Sequence, residues 1–292
     1  MTATAASVHA QAKLNLLLCV LARESSGYHQ LESLFIRIEL SDTVRVATDT
    51  ATRSIECPGL DLAPEQNLAY RAAASFLETT GWDSGFHITI DKRIPTGGGL
   101  GGGSADAGAV LRAMNALAPT PLSQSALMTL ALRLGADVPF LTADAPLALA
   151  WGRGERLLVL RPLPKREVLL AIPPFGVNTA AAFGWYAEAL GSAPMQAPAP
   201  LSLDDIDRWD GVAKLARNDL EEAVFAKHPE IAQCVTVLGG AGARIARMSG
   251  SGSTAFGVFE RRVTVDPASF PQGTRVIQTR TSTNVAAVKL LD

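Results

Sequence analysis

Six of the seven residues from Gly97 to Gly103 are glycine, and nothing else in the chain restricts its fold as tightly. The run comprises Pro95, Thr96, Gly97, Gly98, Gly99, Leu100, Gly101, Gly102, Gly103, Ser104 and Ala105. With 25 glycines in 292 residues, a cluster this dense arises by chance in about one of a thousand sequences of the same composition. Glycine has no Cβ, so its backbone can come close to a ligand and adopt positive φ without strain. Before the run, Phe86–Asp91 alternates apolar and polar residues and predicts a strand. After it, Ser104–Leu117 is rich in Ala, Val, Leu and Met and predicts a helix. Strand, glycine loop and helix in that order put inward-facing N–H groups beside the positive end of a helix dipole, a site suited to phosphate. The plain alternative is a flexible surface loop, which would not need a helix immediately after it.

The surroundings decide which glycine motif this is. Gly98 and Gly103 have the spacing of a P-loop, but Ser104 stands where its lysine must be. Gly97, Gly99 and Gly102 satisfy GxGxxG, as any polyglycine run does. No acidic residue follows within Asn115–Ser125 to hold a dinucleotide ribose. Neither HRD nor DFG occurs, which excludes a protein kinase.

The rest of the chain reads as globular, with 48% hydrophobic and 18% charged residues. The net charge of −2 and the lack of a long basic run exclude a nucleic-acid binder that works by neutralising phosphates. Cys19, Cys57 and Cys234 form no CxxC pair, and His9, His29, His87 and His228 are scattered, so neither a disulfide framework nor a zinc signature is expected. The apolar run Leu14–Ala22 is nine residues long, too short to span a bilayer, and lacks a basic leader. A soluble, cytoplasmic protein without membrane or nucleic-acid partners is expected, as a monomer or homodimer.

Further strands are expected at Lys13–Val20 and Ser33–Val46, after a frayed Met1–Ala10. Helices are expected at Asn67–Thr79 and from the cap Ser123 to Leu134, stopped by Gly135. Ala136–Phe140 reads as a turn, as does Trp151–Glu155 before another short strand. Charged, proline-punctuated Arg161–Glu167 marks a domain boundary, giving domains 1–160 and 161–292. Beyond it come a strand at Val168–Ile172, a helix at Thr179–Leu190 and a loop at Gly191–Pro200. A helix at Pro229–Leu238, a strand at Arg244–Met248, a second glycine turn and a strand at Thr254–Phe259 follow. Mixed strands and helices of this kind make an α/β or α+β protein.

The glycine loop resembles the phosphate loop of the galactokinase, homoserine kinase, mevalonate kinase and phosphomevalonate kinase superfamily. Ala12–Leu16 is similar to that superfamily's N-terminal motif, and Met248–Ser253 to its C-terminal glycine motif. The string Gly27–Phe35, with Leu134–Phe140 and Asn218–Glu221, resembles the branch that phosphorylates a cytidine-diphosphate-linked methylerythritol in the non-mevalonate isoprenoid pathway. Departures are local: Gln11 and Ala22 replace a usual proline and glycine, and Thr142–Ala145 is a turn poorer in glycine than is usual.

The resemblance implies a two-domain α+β small-molecule kinase fold. An N-terminal α/β domain would carry the phosphate loop and a ferredoxin-like C-terminal domain would face it across the active-site cleft. ATP and Mg²⁺ would be the cofactors, with Ser104 the one ion ligand to be named and phosphates and water supplying the rest. Lys13 alone reads as a surface lysine and Asp137 as a turn former; the resemblance makes them the catalytic pair, the aspartate taking the alcohol proton and the lysine offsetting charge. It places Asn67 and Lys92 near the nucleotide base, in addition to residues 95–105. It assigns the acceptor to Asn15, Tyr28, His29, Thr179, Phe183, Gly250 and Gly252. Tyr28 and Phe183 would sandwich cytosine while His29 reads its edge. Taken without the resemblance, Tyr28 is an aromatic at a strand end and Phe183 an apolar helix residue. Two alternatives stay open: a sister kinase acting on homoserine or a mevalonate-type alcohol, and an inactive relative that binds nucleotide without turnover.

Overall fold

The computed structural model describes residues 3–23, 29–152, 154–191 and 201–291. It is built on one long hairpin, β1 (Ala5–Arg23) and β2 (His29–Thr48), paired antiparallel along nearly its whole length. At its start β1 alternates, with Ala6, Val8 and Ala10 buried while His9 points to solvent. From Gln11 to Val20 every residue is buried, so both faces of the strand are covered there. The expectation of a frayed start is corrected for the described residues: Ala5–Ser7 pair with β2 on one side and with the last strand on the other.

The second strand is long enough to hold two partners in succession on its other edge. Thr43–Thr48 pair with β4 (Phe86–Asp91), and Leu31–Ile36 with β5 (Leu147–Gly152). The sheet is completed by β3 (Arg53–Glu56) parallel to β4, and by β6 (Arg156–Val159) beside β5. Four helices pack with it: α1 (Leu68–Thr80), α2 (Gly102–Leu117), α3 (Gln124–Leu134) and α4 (Val138–Thr142). Alanines at 105, 107, 109 and 113 keep α2 narrow, so it lies buried among β1, β2, α1 and α4. Where a turn was expected at Ala136–Phe140, the chain begins α4, with Pro139 in its first turn, the one place a helix tolerates it.

The chain passes to a second sheet between Val159 and Glu167. Its order is β10 (Arg275–Arg280), β7 (Glu167–Ile172), β9 (Ala255–Phe259) and β8 (Ile245–Met248), all antiparallel. Alternation along β7 splits its two faces: Val168, Leu170 and Ile172 join the core of the first sheet, while Leu169 and Ala171 pack with Cys234 and Leu238 of α9 (Pro229–Gly240). The helices α5 (Thr179–Leu190), α6 (Leu203–Ile206), α7 (Trp209–Leu215) and α8 (Glu221–Lys227) complete this half. Of the Gly191–Pro200 loop, all but Gly191 lies outside the described residues. The last strand, β11 (Lys289–Leu291), returns to the first sheet beside β1. No helix among the described residues is long and apolar enough to cross a membrane.

Candidate active site

The glycine loop joins β4 to α2 and carries positive φ at Gly97, Gly99 and Gly101 (71°, 74° and 72°), a conformation that favours glycine. Gly99 needs its missing Cβ for a second reason: a Cβ there would lie 2.1 Å from the Ser249 carbonyl oxygen. The loop is thus pressed against the second glycine turn. Ser249 Oγ donates to Gly99 O at 2.9 Å and Thr254 N–H to Gly98 O at 3.2 Å. On the other side Lys13 N–H donates to Leu100 O at 3.0 Å, which ties the loop to β1.

Lys13 and Asn15 project from the same face of β1, between two register shifts in its pairing with β2. Such bulges bend a strand and re-aim its side chains. Lys13 Nζ donates to Asn15 Oδ1 at 2.6 Å and lies 3.4 Å from Asp137 Oδ2. Asn15 Nδ2 in turn donates to Ser33 Oγ at 2.7 Å, and the ammonium sits 5.5 Å from the Phe35 ring centroid. The Lys13 side chain is 4% exposed and that of Asp137 32%, so the lysine is fixed from below while the carboxylate opens to the cavity.

Beneath the start of α2 lies a buried cluster. Lys92 Nζ donates to Asp42 Oδ2 and, at 2.7 Å, to Asp106 Oδ2. Asp42 Oδ1 also accepts the N–H groups of Arg93 and Ile94 at 2.6 and 2.8 Å. Burial pushes the Asp106 carboxyl up to about 7 against the pull of Lys92. Burial also presses on the Lys92 ammonium, but Asp106 and Asp42 together hold it above its ordinary range. The ammonium expected near the nucleotide base is therefore committed to two carboxylates. Asn67 likewise serves the fold, because as N-cap of α1 its Oδ1 accepts from Ala69 N–H at 2.9 Å.

A single cavity of about 600 Å³ gathers these groups, a volume within the range of small-molecule sites. It is lined by Lys13, Asn15, Asn67, Lys92, Asp137, Thr179, Phe183, Gly250 and Gly252, together with residues 95–104 of the loop. Ala105 is buried inside α2, its N–H bonded to Gly101 O, and does not reach the cavity. His29 is not on its wall; its ring stacks on Phe183 with centroids 4.9 Å apart and planes 17° from parallel. That contact occupies one face of Phe183. Tyr28, the other expected stacking partner, lies outside the described residues. Thr179 Oγ1 is 3.0 Å from Ser251 Oγ, joining the start of α5 to the second glycine turn.

The turn is held by the Asn218–Glu221 segment. Asn218 Nδ2 donates to Met248 O and Gly250 O at 2.9 and 2.7 Å, and Glu221 Oε1 accepts from Met248 N–H at 2.7 Å. Asp219 Oδ2 accepts from Val20 N–H at 2.8 Å, which ties the same segment to β1. The sequence singles out this string through its family resemblance alone, without a role for any residue in it, and it gives no role to Asp42, Asp106 or Ser249. The signal available for the aspartates is a carboxylate inside an apolar strand or an alanine-rich helix, where an unpaired charge is costly.

The site fits a nucleotide triphosphate. Glycine backbone of the loop and the first turn of α2 line the cavity side by side. Two buried oxygens flanking the loop, Asp106 Oδ1 and Thr254 Oγ1, have no hydrogen-bond partner among the described residues. For a divalent cation the described residues offer no group of three or more His, Cys, Asp or Glu side chains. Ser104 puts a hydroxyl oxygen on the cavity wall at the start of α2.

Residues 67–145 match the GHMP kinases N terminal domain and residues 202–269 the GHMP kinases C terminal. A 4-diphosphocytidyl-2-C-methyl-D-erythritol kinase of Parvibaculum lavamentivorans is 38% identical over 258 residues, 86% of this chain and 87% of that protein. The protein of the same name from Moorella thermoacetica is 42% identical over 255 residues, 85% of this chain and 88% of that protein. A crystal structure of 4-(cytidine 5'-diphospho)-2C-methyl-D-erythritol kinase superimposes with a TM-score of 0.74 at 33% identity, covering 94% of this chain and 98% of that one. Homoserine kinase from Cytophaga hutchinsonii shares the fold, with a TM-score of 0.68 at 16% identity over 99% of this chain and 98% of that one. The chain belongs to the GHMP kinases and, within them, to the family of the 4-diphosphocytidyl-2-C-methyl-D-erythritol kinases.

Proposed function

We propose that this member of the family transfers the γ-phosphate of ATP to the 2-hydroxyl of 4-diphosphocytidyl-2-C-methyl-D-erythritol, in the non-mevalonate route to isoprenoid precursors. The observation that carries the reading is the Lys13–Asp137 pair, 3.4 Å apart on the wall of the cavity that the phosphate loop lines. Asp137 accepts the proton of the attacking hydroxyl as its oxygen bonds to the γ-phosphorus and the bond to the β–γ bridging oxygen breaks, releasing ADP. Lys13, steadied by Asn15, orients the hydroxyl and offsets charge on the transferring group. Residues 95–104 hold the phosphates through backbone N–H groups and the start of α2. Mg²⁺, when bound, neutralises charge on the β- and γ-oxygens.

On the acceptor side Phe183, with Tyr28 and His29, takes the cytosine, and Thr179, Gly250 and Gly252 border the sugar alcohol. The enzyme is assigned to the cytoplasm, acting as a monomer or homodimer. A coupled ADP-release assay tests the reading. Turnover is expected with the cytidine-diphosphate-linked methylerythritol and not with homoserine or mevalonate. Turnover confined to either of the latter would overturn the acceptor assignment.

A further inference from the structure

Arg37 is the largest charged side chain in the core, 1% exposed, and no carboxylate lies within ion-pair distance of its guanidinium among the described residues. Asp144 acts on it only from beyond contact distance and Arg112 opposes it; a buried cation with no carboxylate in contact is costly, and it persists where hydrogen bonds hold it. All of its described bonds go to one short stretch of backbone. Nη2 donates to Phe140 O at 2.8 Å and to Ala143 O at 3.0 Å, and Nε donates to Ala145 O at 3.0 Å. The guanidinium carbon also lies 5.1 Å from the Phe140 ring centroid. Burial lowers its pKa to about 9, so it remains a cation at neutral pH.

That stretch is the C-terminal end of α4 and the turn after it. With five residues, α4 is too short to hold itself by its own hydrogen bonds, and Asp137 is its N-cap. A cation at a helix C-terminus satisfies carbonyls that have no partner inside the helix and complements the dipole. The flank of α4 is fixed by α2: a Cβ at Gly108 would lie 2.7 Å from the Leu141 carbonyl, a contact that needs glycine. At its other end Arg37 stands directly opposite Lys13 in the β1–β2 pairing. One residue therefore spans from the strand position paired with the lysine to the helix that presents the aspartate.

We propose that Arg37 is a positioning residue for phosphoryl transfer, which sets Asp137 against Lys13 by clamping the C-terminal end of α4. The inference rests on the proposed role of Asp137. Arg37→Met keeps the volume and removes the clamp. Misplacement by about 1 Å can cost on the order of a hundredfold, so kcat is expected to fall about ten- to a hundredfold with the KM for ATP within about twofold of wild type. Arg37→Lys, which keeps the cation but can reach fewer carbonyls, is expected to lose less. The decisive measurement is a double-mutant cycle with Asp137→Asn, with kcat referred to the nucleotide-binding stoichiometry of each variant. If Arg37 acts through Asp137, its substitution costs little further once the carboxylate is gone. Equal fold losses in both backgrounds, or an unchanged kcat per binding site beside a lowered Tm, would overturn the inference and leave Arg37 a purely structural residue. Should Arg37→Met fail to fold, Arg37→Lys runs the same cycle. A near-wild-type kcat for Asp137→Asn alone indicts the reading of the active site rather than that of Arg37.

Discussion

The two sides of the cavity are built from different material. The side proposed for the nucleotide is backbone: glycines with positive φ, the first turn of α2, and carbonyls bound to the second glycine turn. The side proposed for the acceptor is made of side chains, Thr179 and Phe183 from α5, with His29 from the start of β2 stacked on Phe183 and off the cavity wall. A backbone site tolerates one residue type and leaves a dense mark in the sequence. A side-chain site is assembled from ordinary residues more than 150 positions apart, His29 and Phe183 among them, and leaves almost none. The proposed catalytic pair, Lys13 and Asp137, is contributed by β1 and the N-cap of α4.

The largest effect is expected at that junction. Asp137→Asn is expected to lower kcat about 10²–10⁴-fold with little change in ATP affinity, read by steady-state rates and by calorimetric nucleotide titration. A comparable loss of ATP affinity would move Asp137 to the nucleotide side.

Next comes the backbone wall. Gly99→Ala combines a left-handed φ, which costs about 1–2 kcal/mol with a Cβ, with a clash against Ser249 O. The KM for ATP is expected to rise about ten- to a hundredfold, while the acceptor KM moves less. Gly103→Ala is the contrast, because nothing lies within 4 Å of the Cβ it adds and its φ is not positive. A change within about twofold is expected for it. An equal loss for both would mean that the phosphates bear on the helix start rather than on the loop.

For the proposed cytosine site, removing Phe183 or Tyr28 is expected to take away one stacking face, worth about 1–3 kcal/mol per base. Either alanine variant is expected to raise the acceptor KM about five- to a hundredfold and to leave the ATP KM nearly unchanged. His29→Ala has the smallest predicted effect on KM, but it should relax the choice between cytosine and uracil in a substrate-competition assay. An ATP-specific defect in any of the three would exchange the two sides of the cavity.

The same division explains what is legible in the sequence. The loop, the α2 that follows it, β4 and the capped helices α1, α3 and α5 can all be read from local chemistry. Glycines, the N-caps Asn67, Ser123 and Asn178, and period-two alternation act within a few residues. What escapes depends on distant partners. The start of β1 is small and polar in sequence, and becomes a strand because β2 and β11 flank it. β11 itself is three residues whose only reason to be extended lies some 280 positions away. α4 reads as a turn in the sequence because its stability comes from Arg37 and α2 rather than from its own length. Lys92 is legible as a residue near the loop, but its partners Asp42 and Asp106 are 50 residues before it and 14 after.

The return of β11 bears on the order in which the protein can be made. The first sheet is encoded almost entirely before residue 160, yet the outer edge of β1 at Ala5–Ser7 gains its partner only at Lys289–Leu291. The approach to that strand is stitched in as well, with Ala286 N–H donating to Gln11 Oε1 at 2.9 Å and Arg112 Nη2 to Ala286 O at 2.6 Å. During synthesis at about 5–20 residues per second, the edge of β1 therefore waits about ten to fifty seconds after β2 is made with unpaired backbone groups, the kind of edge that pairs wrongly with other chains. The first sheet therefore completes its outer edge only after every strand of the second sheet has been synthesised.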